Sequence, residues 1–247
     1  MRKIFNWQVV LGLILITLSA AVYLIQYLIF HDAHHMFMFL LEDLGFVFLE
    51  VLLVTLVIHR LLHYREKMSL LHKLNMVVGA FFSEVGTELL RDFSVFDKNA
   101  AQVTKKLTIK NNWTEKEFLK VCKSVKGHKY DVDSKKGDLE KIRNFLKERR
   151  QFLLGLLENP NLLEHESFTD LLWAVFHLTE ELVFRKSLKG LPESDYRHLS
   201  GDIERVYQRL ISEWINYMRH LQKHYPYLFS LALRTNPFDP GAVVEVS

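Results

Sequence analysis

Apolar positions are distributed along this chain in two different ways. From Trp7 to Phe30 they are nearly continuous, a run of 24 residues without a formal charge, and about 20 suffice to cross the hydrocarbon core of a bilayer. After the connector His31-Asp32-Ala33-His34-His35, a second apolar stretch runs from Met36 to Leu62. Beyond Leu62 the apolar residues become periodic, spaced for one face of a helix. No stretch alternates with period two, so no sheet is predicted. The expected fold class is all-α: a two-helix N-terminal transmembrane hairpin (residues 7–30 and 36–62) followed by an α-helical cytoplasmic bundle, homo-oligomeric overall. The predicted divisions are 1–62 for the hairpin, 63–97 for an amphipathic helical extension or linker, and 98–247 for the cytoplasmic domain.

Within 63–97, Leu70, Leu71, Leu74, Val77, Val78, Phe81, Phe82 and Val85 form a broad apolar face, with Gly79 and Gly86 as places to bend. If that helix prolonged a pore, Glu84 and Glu88 would line its inner vestibule. Thr114 and Glu117 have the spacing of a capping box and Gly127 stops the helix that follows. Longer helices are expected over 138–158, 167–186 and 193–224, with Ser167 and Asp170 at the start of the second and Gly190-Leu191-Pro192 breaking before the third. Phe152, Leu153, Leu156, Leu171, Leu172, Val175, Phe176, Leu182, Val206, Leu210, Trp214 and Tyr217 would supply the core. The aromatic segment 225–240 is expected to dock back on the domain or on a neighbouring copy.

Charge orients the hairpin. Arg2 and Lys3 precede the first apolar run, and Arg60, Arg65 and Lys67 close or follow the second, while the connector has no Lys or Arg. The positive-inside rule then places both termini in the cytoplasm, in a multi-pass protein of a bacterial-type inner (plasma) membrane. The first run is too long for the apolar region of a signal peptide. A net charge of +3 makes no case for nucleic acid, and the single cysteine, Cys122, excludes an intramolecular disulfide.

The second apolar stretch contains Glu42, Asp43 and Glu50. Ionisable groups at membrane depth are costly and mark functional sites. Asp43 and Glu50, seven residues apart, share a helix face. One reading is a ring of acids lining a cation pathway in an oligomer of four or more subunits, since acidic rings select cations. Others are proton movement, and acids hydrogen-bonded simply to fix helix register. A short outer turn followed by acids at the start of a helix is similar in outline to calcium-uniporter-type channels, although that family's acidic signature is absent. Gly12, Ser19 and Gln26, spaced by seven, and Gly45 on the second helix form a stripe for helix packing.

At the turn, His31, Asp32, His34 and His35 suggest metal or pH sensing, with His31 and His35 spaced i, i+4. An interfacial polar turn explains them equally. Further on, His177 with Glu181 (H-x-x-x-E) and His220 with His224 (H-x-x-x-H) resemble part of a hemerythrin pattern. No H-x-x-x-x-D follows His224, so these are expected to be surface or partly buried helix histidines. No phosphate-binding glycine loop, nucleophile motif or zinc-type cysteine set is present. The expectation is therefore not an enzyme, with no cofactor beyond a bound cation, and with the bilayer and copies of itself as partners. A membrane-anchored sensor or scaffold for a metal, pH or a protein is the alternative to the pore.

Overall fold

The computed structural model describes residues 2–160, 162 and 165–245, without the side chains of residues 2–6, 8, 67 and 70–73. The side chains of Arg2, Lys3, Lys67, Leu70 and Leu71 thus lie outside the described residues. The chain is all-helical, with no strand among the described residues and a single isolated bridge between Asp97 and Val132. It divides into two units, one up to Glu66 and one from Lys67 onward.

The first unit contains α1 (Arg2–Phe30) and the early part of α2 (Ala33–Phe81). Between them Asp32 starts α2, its Oδ1 accepting from the backbone N–H groups of His34 and His35, both at 3.1 Å, which satisfies donors that a helix start leaves open. Among the described residues, one helix segment, Val9–Phe30, is long and apolar enough to cross a membrane by length and composition.

In the second unit, the end of α2 passes through a π-helical turn, Phe82–Gly86, into α3 (Thr87–Phe96). This stretch is part of the domain's core, not an extension leading to it. Leu74, Val78, Phe81, Phe82, Val85, Leu89, Leu90 and Phe93 are all buried. Both glycines of the predicted bends are places of close approach. A Cβ on Gly79 would stand 3.2 Å from the Tyr217 hydroxyl, and one on Gly86 would stand 2.6 Å from Phe82 Cδ1. The Phe82 ring is stacked on Tyr217 with centroids 5.3 Å apart. Glu84 and Glu88 are held by the domain's own cations, Glu84 by Arg149 at 3.6 Å and Glu88 by Lys141 at 3.1 Å.

Then come α4 (Ala100–Leu107), α5 (Glu115–Lys126), α6 (Leu139–Leu157), α7 (Glu166–Phe184), α8 (Glu193–His224) and α9 (Pro226–Arg234). The Thr114–Glu117 capping box is formed, and α5 ends at Gly127. The start of α7 differs from expectation: His165, not Ser167, caps it, its Nδ1 accepting from the Phe168 N–H. The long helix α8 is covered by α3, α5, α7 and α9. Of the predicted core, Phe152 and Tyr217 are partly buried and the others are buried.

The aromatic tail docks on its own domain. Phe229 and Phe238 are buried, the latter 5.2 Å from the Trp214 ring. Asn236, itself buried, donates to the Leu107 carbonyl at 3.1 Å and accepts from the Phe238 N–H at 2.9 Å.

Two stability changes follow. Gly86→Ala should lower the unfolding free energy by about 1–3 kcal/mol because fully buried rings must shift; an unchanged denaturation midpoint of the detergent-solubilised protein would contradict the close contact. Phe238→Ala should cost about 3–5 kcal/mol and shift tryptophan emission to the red as Trp214 loses cover; emission and midpoint identical to wild type would mean that the tail is not docked.

Candidate metal centre

In the first unit, Glu42, Asp43 and Glu50 are exposed along α2. Their side chains make no hydrogen bond or ion pair among the described residues. Along the packing stripe, Ser19 and Gly45 are exposed and Gly12 and Gln26 are partly buried. A Cβ built on Gly12 or Gly45 meets no described atom of another element within 4 Å, so the single chain makes no close helix contact at those two positions.

Among the described residues, the turn does not gather three of its four candidate ligands into one metal-sized group. His31 has a left-handed backbone (φ 52°), and its N–H still donates to the Tyr27 carbonyl. The helix therefore breaks between His31 and His35, and their i, i+4 spacing no longer sets the imidazoles side by side. Asp32 is engaged in capping, with its other oxygen 3.8 Å from His35 Nδ1. Asp32, His35, Met36 and Gln26 border a cavity of about 320 Å³.

A different constellation assembles in the second unit. Leu178 and Leu182 of α7 and Leu199 and Ile203 of α8 bury the apolar faces of two packed helices. The next positions round each helix then face one another. His177 and Glu181 on α7, one turn apart, meet His198 and Asp202 on α8, also one turn apart. Because the helices run antiparallel, the order reverses: His177 stands opposite Asp202, and Glu181 opposite His198.

The result is a square of alternating imidazoles and carboxylates. His177 Nε2 is 3.5 Å from Asp202 Oδ2, which is 3.3 Å from His198 Nε2. His198 Nε2 is 3.4 Å from Glu181 Oε2, and Glu181 Oε1 is 4.0 Å from His177 Nε2. The ligand atoms of His177, His198 and Asp202 all lie within 4.8 Å of one another, the spacing of a metal-binding group.

Two guanidinium groups hold the carboxylates. Arg205 donates to Asp202 Oδ1 at 2.8 Å, which aims Oδ2 at the imidazoles. Asp202 is only 2% exposed, and its Oδ2 is buried without a hydrogen-bond partner. A buried carboxylate oxygen left in that state is costly. Arg185, just beyond α7, bridges Glu181 at 2.6 Å and Asp195 at 2.7 and 2.9 Å. Its guanidinium holds both carboxyl groups below their ordinary range. His177 and His198 are 46% and 51% exposed, so the outer side of the square is open to an arriving ion.

Two members, His177 and Glu181, stand out in the sequence by spacing; His198 and Asp202 do not figure among the predicted site residues. One signal was present: Asp202 occupies a core position of α8, between Leu199 and Val206, where an apolar residue is expected. The other histidine pair, His220 and His224, lies elsewhere, with rings 4.7 Å apart and Tyr225 beside His220.

Residues 2–62 match the family described as "MJ1433, N-terminal helical domain", and residues 70–234 match "Uncharacterized protein MJ1433, C-terminal helical domain". The protein named "Uncharacterized protein MJ1433" from Methanocaldococcus jannaschii is 46% identical over 239 residues, covering 97% of this chain and 96% of the relative. No solved structure matches the chain. The chain belongs to the MJ1433 family.

Proposed function

We propose that this MJ1433-family protein is a membrane-anchored receptor for a divalent metal ion, which its helical domain binds through His177, His198 and Asp202. The observation that carries this reading is Asp202: a buried carboxylate whose Oδ1 is fixed by Arg205 and whose unpartnered Oδ2 sits between two imidazole nitrogens. An ion there supplies the missing partner, and the Arg205 contact is the kind of outer support that orients metal ligands. The uncharged Val9–Phe30 segment supports the anchor. The proposed topology retains the second span over 36–62 and both termini in the cytoplasm, where the domain samples intracellular metal.

Titration of the purified full-length protein with Zn²⁺ should give one site per chain. Asp202→Asn should weaken it by more than about 100-fold, since losing a direct ligand exceeds the loss of an outer partner. A wild-type chain that binds none of Zn²⁺, Mn²⁺ or Ni²⁺ would leave the square as histidine–carboxylate pairs and overturn the reading.

A second reading concerns α2. Glu42, Asp43 and Glu50 are exposed and unpaired in the single chain, and apolar surroundings demand that such groups be covered. A homo-oligomer of four or more copies would cover them around a cation-conducting axis. In liposomes, Asp43→Asn and Glu50→Gln should then reduce cation flux or alter its selectivity while assembly is retained. Absence of flux from wild type under any gradient would exclude the pore.

A further inference from the structure

Glu181 completes the square, yet it is already engaged. We propose that the site takes a late first-row divalent ion, Zn²⁺ in type, in four-coordinate geometry, with Glu181 as fourth ligand, and that Arg185 competes with the metal for Glu181. This inference rests on the metal reading above and extends it to the full ligand set, the class of ion and a residue that regulates occupancy.

The class of ion follows from the donors. Two imidazoles and two carboxylates form a mixed nitrogen–oxygen set; Ca²⁺ and Mg²⁺ favour all-oxygen shells, whereas imidazole suits zinc and its neighbours. Metal–ligand bonds of about 2.0–2.2 Å place the ligand atoms of a tetrahedral site roughly 3.3–3.5 Å apart. His177–Asp202 and Asp202–His198 have that length, at 3.5 and 3.3 Å, through one oxygen, Asp202 Oδ2; Glu181 reaches the square through two, with Oε2 3.4 Å from His198 and Oε1 4.0 Å from His177. Ligation through one oxygen therefore requires a shift of the Glu181 carboxylate into the square.

What opposes that shift is Arg185. Its Nη1 donates to Glu181 Oε2, the oxygen nearest His198, and also to the Glu181 backbone carbonyl. Its Nε and Nη2 are meanwhile engaged by the two oxygens of Asp195. The guanidinium therefore has a second seat. When a metal takes the Glu181 oxygen, Arg185 stays paired with Asp195 at the start of α8 and no charge is stranded. The exchange is Glu181–Arg185 for Glu181–metal, with no covalent step.

The test is Zn²⁺ affinity of the full-length protein in detergent, by calorimetry, for wild type, Arg185→Gln, Glu181→Gln and the double variant, with Ca²⁺ and Mg²⁺ as comparison ions and circular dichroism to establish folding. Zn²⁺ should bind wild type at least 10-fold more tightly than Ca²⁺ or Mg²⁺. Arg185→Gln should tighten Zn²⁺ binding several-fold, and Glu181→Gln should weaken it at least 10-fold. In the Glu181→Gln background the Arg185→Gln gain should vanish. A gain that persists there reflects only the removal of a nearby positive charge and overturns the competition. Equal or weaker binding by folded Arg185→Gln overturns it as well. If Arg185→Gln does not fold, Glu181→Gln decides: unchanged Zn²⁺ affinity removes Glu181 from the ligand set and ends the proposal. Wild type that binds no Zn²⁺ removes the metal reading itself, an outcome distinct from the others.

Discussion

The second unit is organised around the burial of one long helix. α8 runs for 32 residues, about 48 Å at 1.5 Å per residue, and it buries Leu199, Ile203, Val206, Tyr207, Leu210, Ile211, Trp214, Ile215, Met218 and Leu221. No single neighbour can cover so long a surface. α7 covers the early turns, α3 brings Phe93 to Tyr207, α5 adds Phe118 and Val125, and the tail closes over Trp214. Each covering element needs only one apolar face. That is why short, otherwise ordinary amphipathic helices suffice around it.

The same packing dictates where polar groups meet. Once the leucines of α7 and α8 interlock, the rotational setting of both helices is determined, and with it the meeting of His177 and Glu181 with His198 and Asp202. The domain accepts a carboxylate at a core position of its central helix. It holds one oxygen with Arg205 and leaves the other aimed at two imidazoles. A structure selected for stability alone would place a leucine there, because replacing buried charges by apolar residues is often neutral or stabilising.

Local signals were the most legible in the sequence. The Thr114–Glu117 box and the Gly127 stop depend on residues within one or two turns, and the core faces of α6 to α8 depend on helical period alone. The start of α7 departs from expectation because Ser167 is a common cap and an imidazole is not. From the sequence, the span 63–97 reads as an extension because its apolar face is as broad as that of a membrane-surface helix; only contact with residues more than a hundred positions away, such as Tyr217, makes the part from Leu74 onward core. The histidine–carboxylate square was half visible. His177 and Glu181 stood out by spacing, but their partners lie 21 residues further on, and no local pattern joins two helices across a loop. The closeness of Gly79 and Gly86 to aromatic rings was likewise hidden, since glycine in a helix reads as weakness until something is found lying against it.

The docked tail has a consequence for biosynthesis. Trp214 lacks its Phe238 contact and the Leu107 carbonyl its Asn236 donor until the tail is in place, so the core of the helical domain cannot close while residue 238 is still to be translated. The apolar α1, by contrast, leaves the ribosome before any of the helical domain. Folding order along this chain is therefore divided in time: the N-terminal helices must find their environment while the domain behind them is still an open, partly apolar chain. Until synthesis has passed the tail, that nascent domain exposes apolar surface of the kind that favours misassociation.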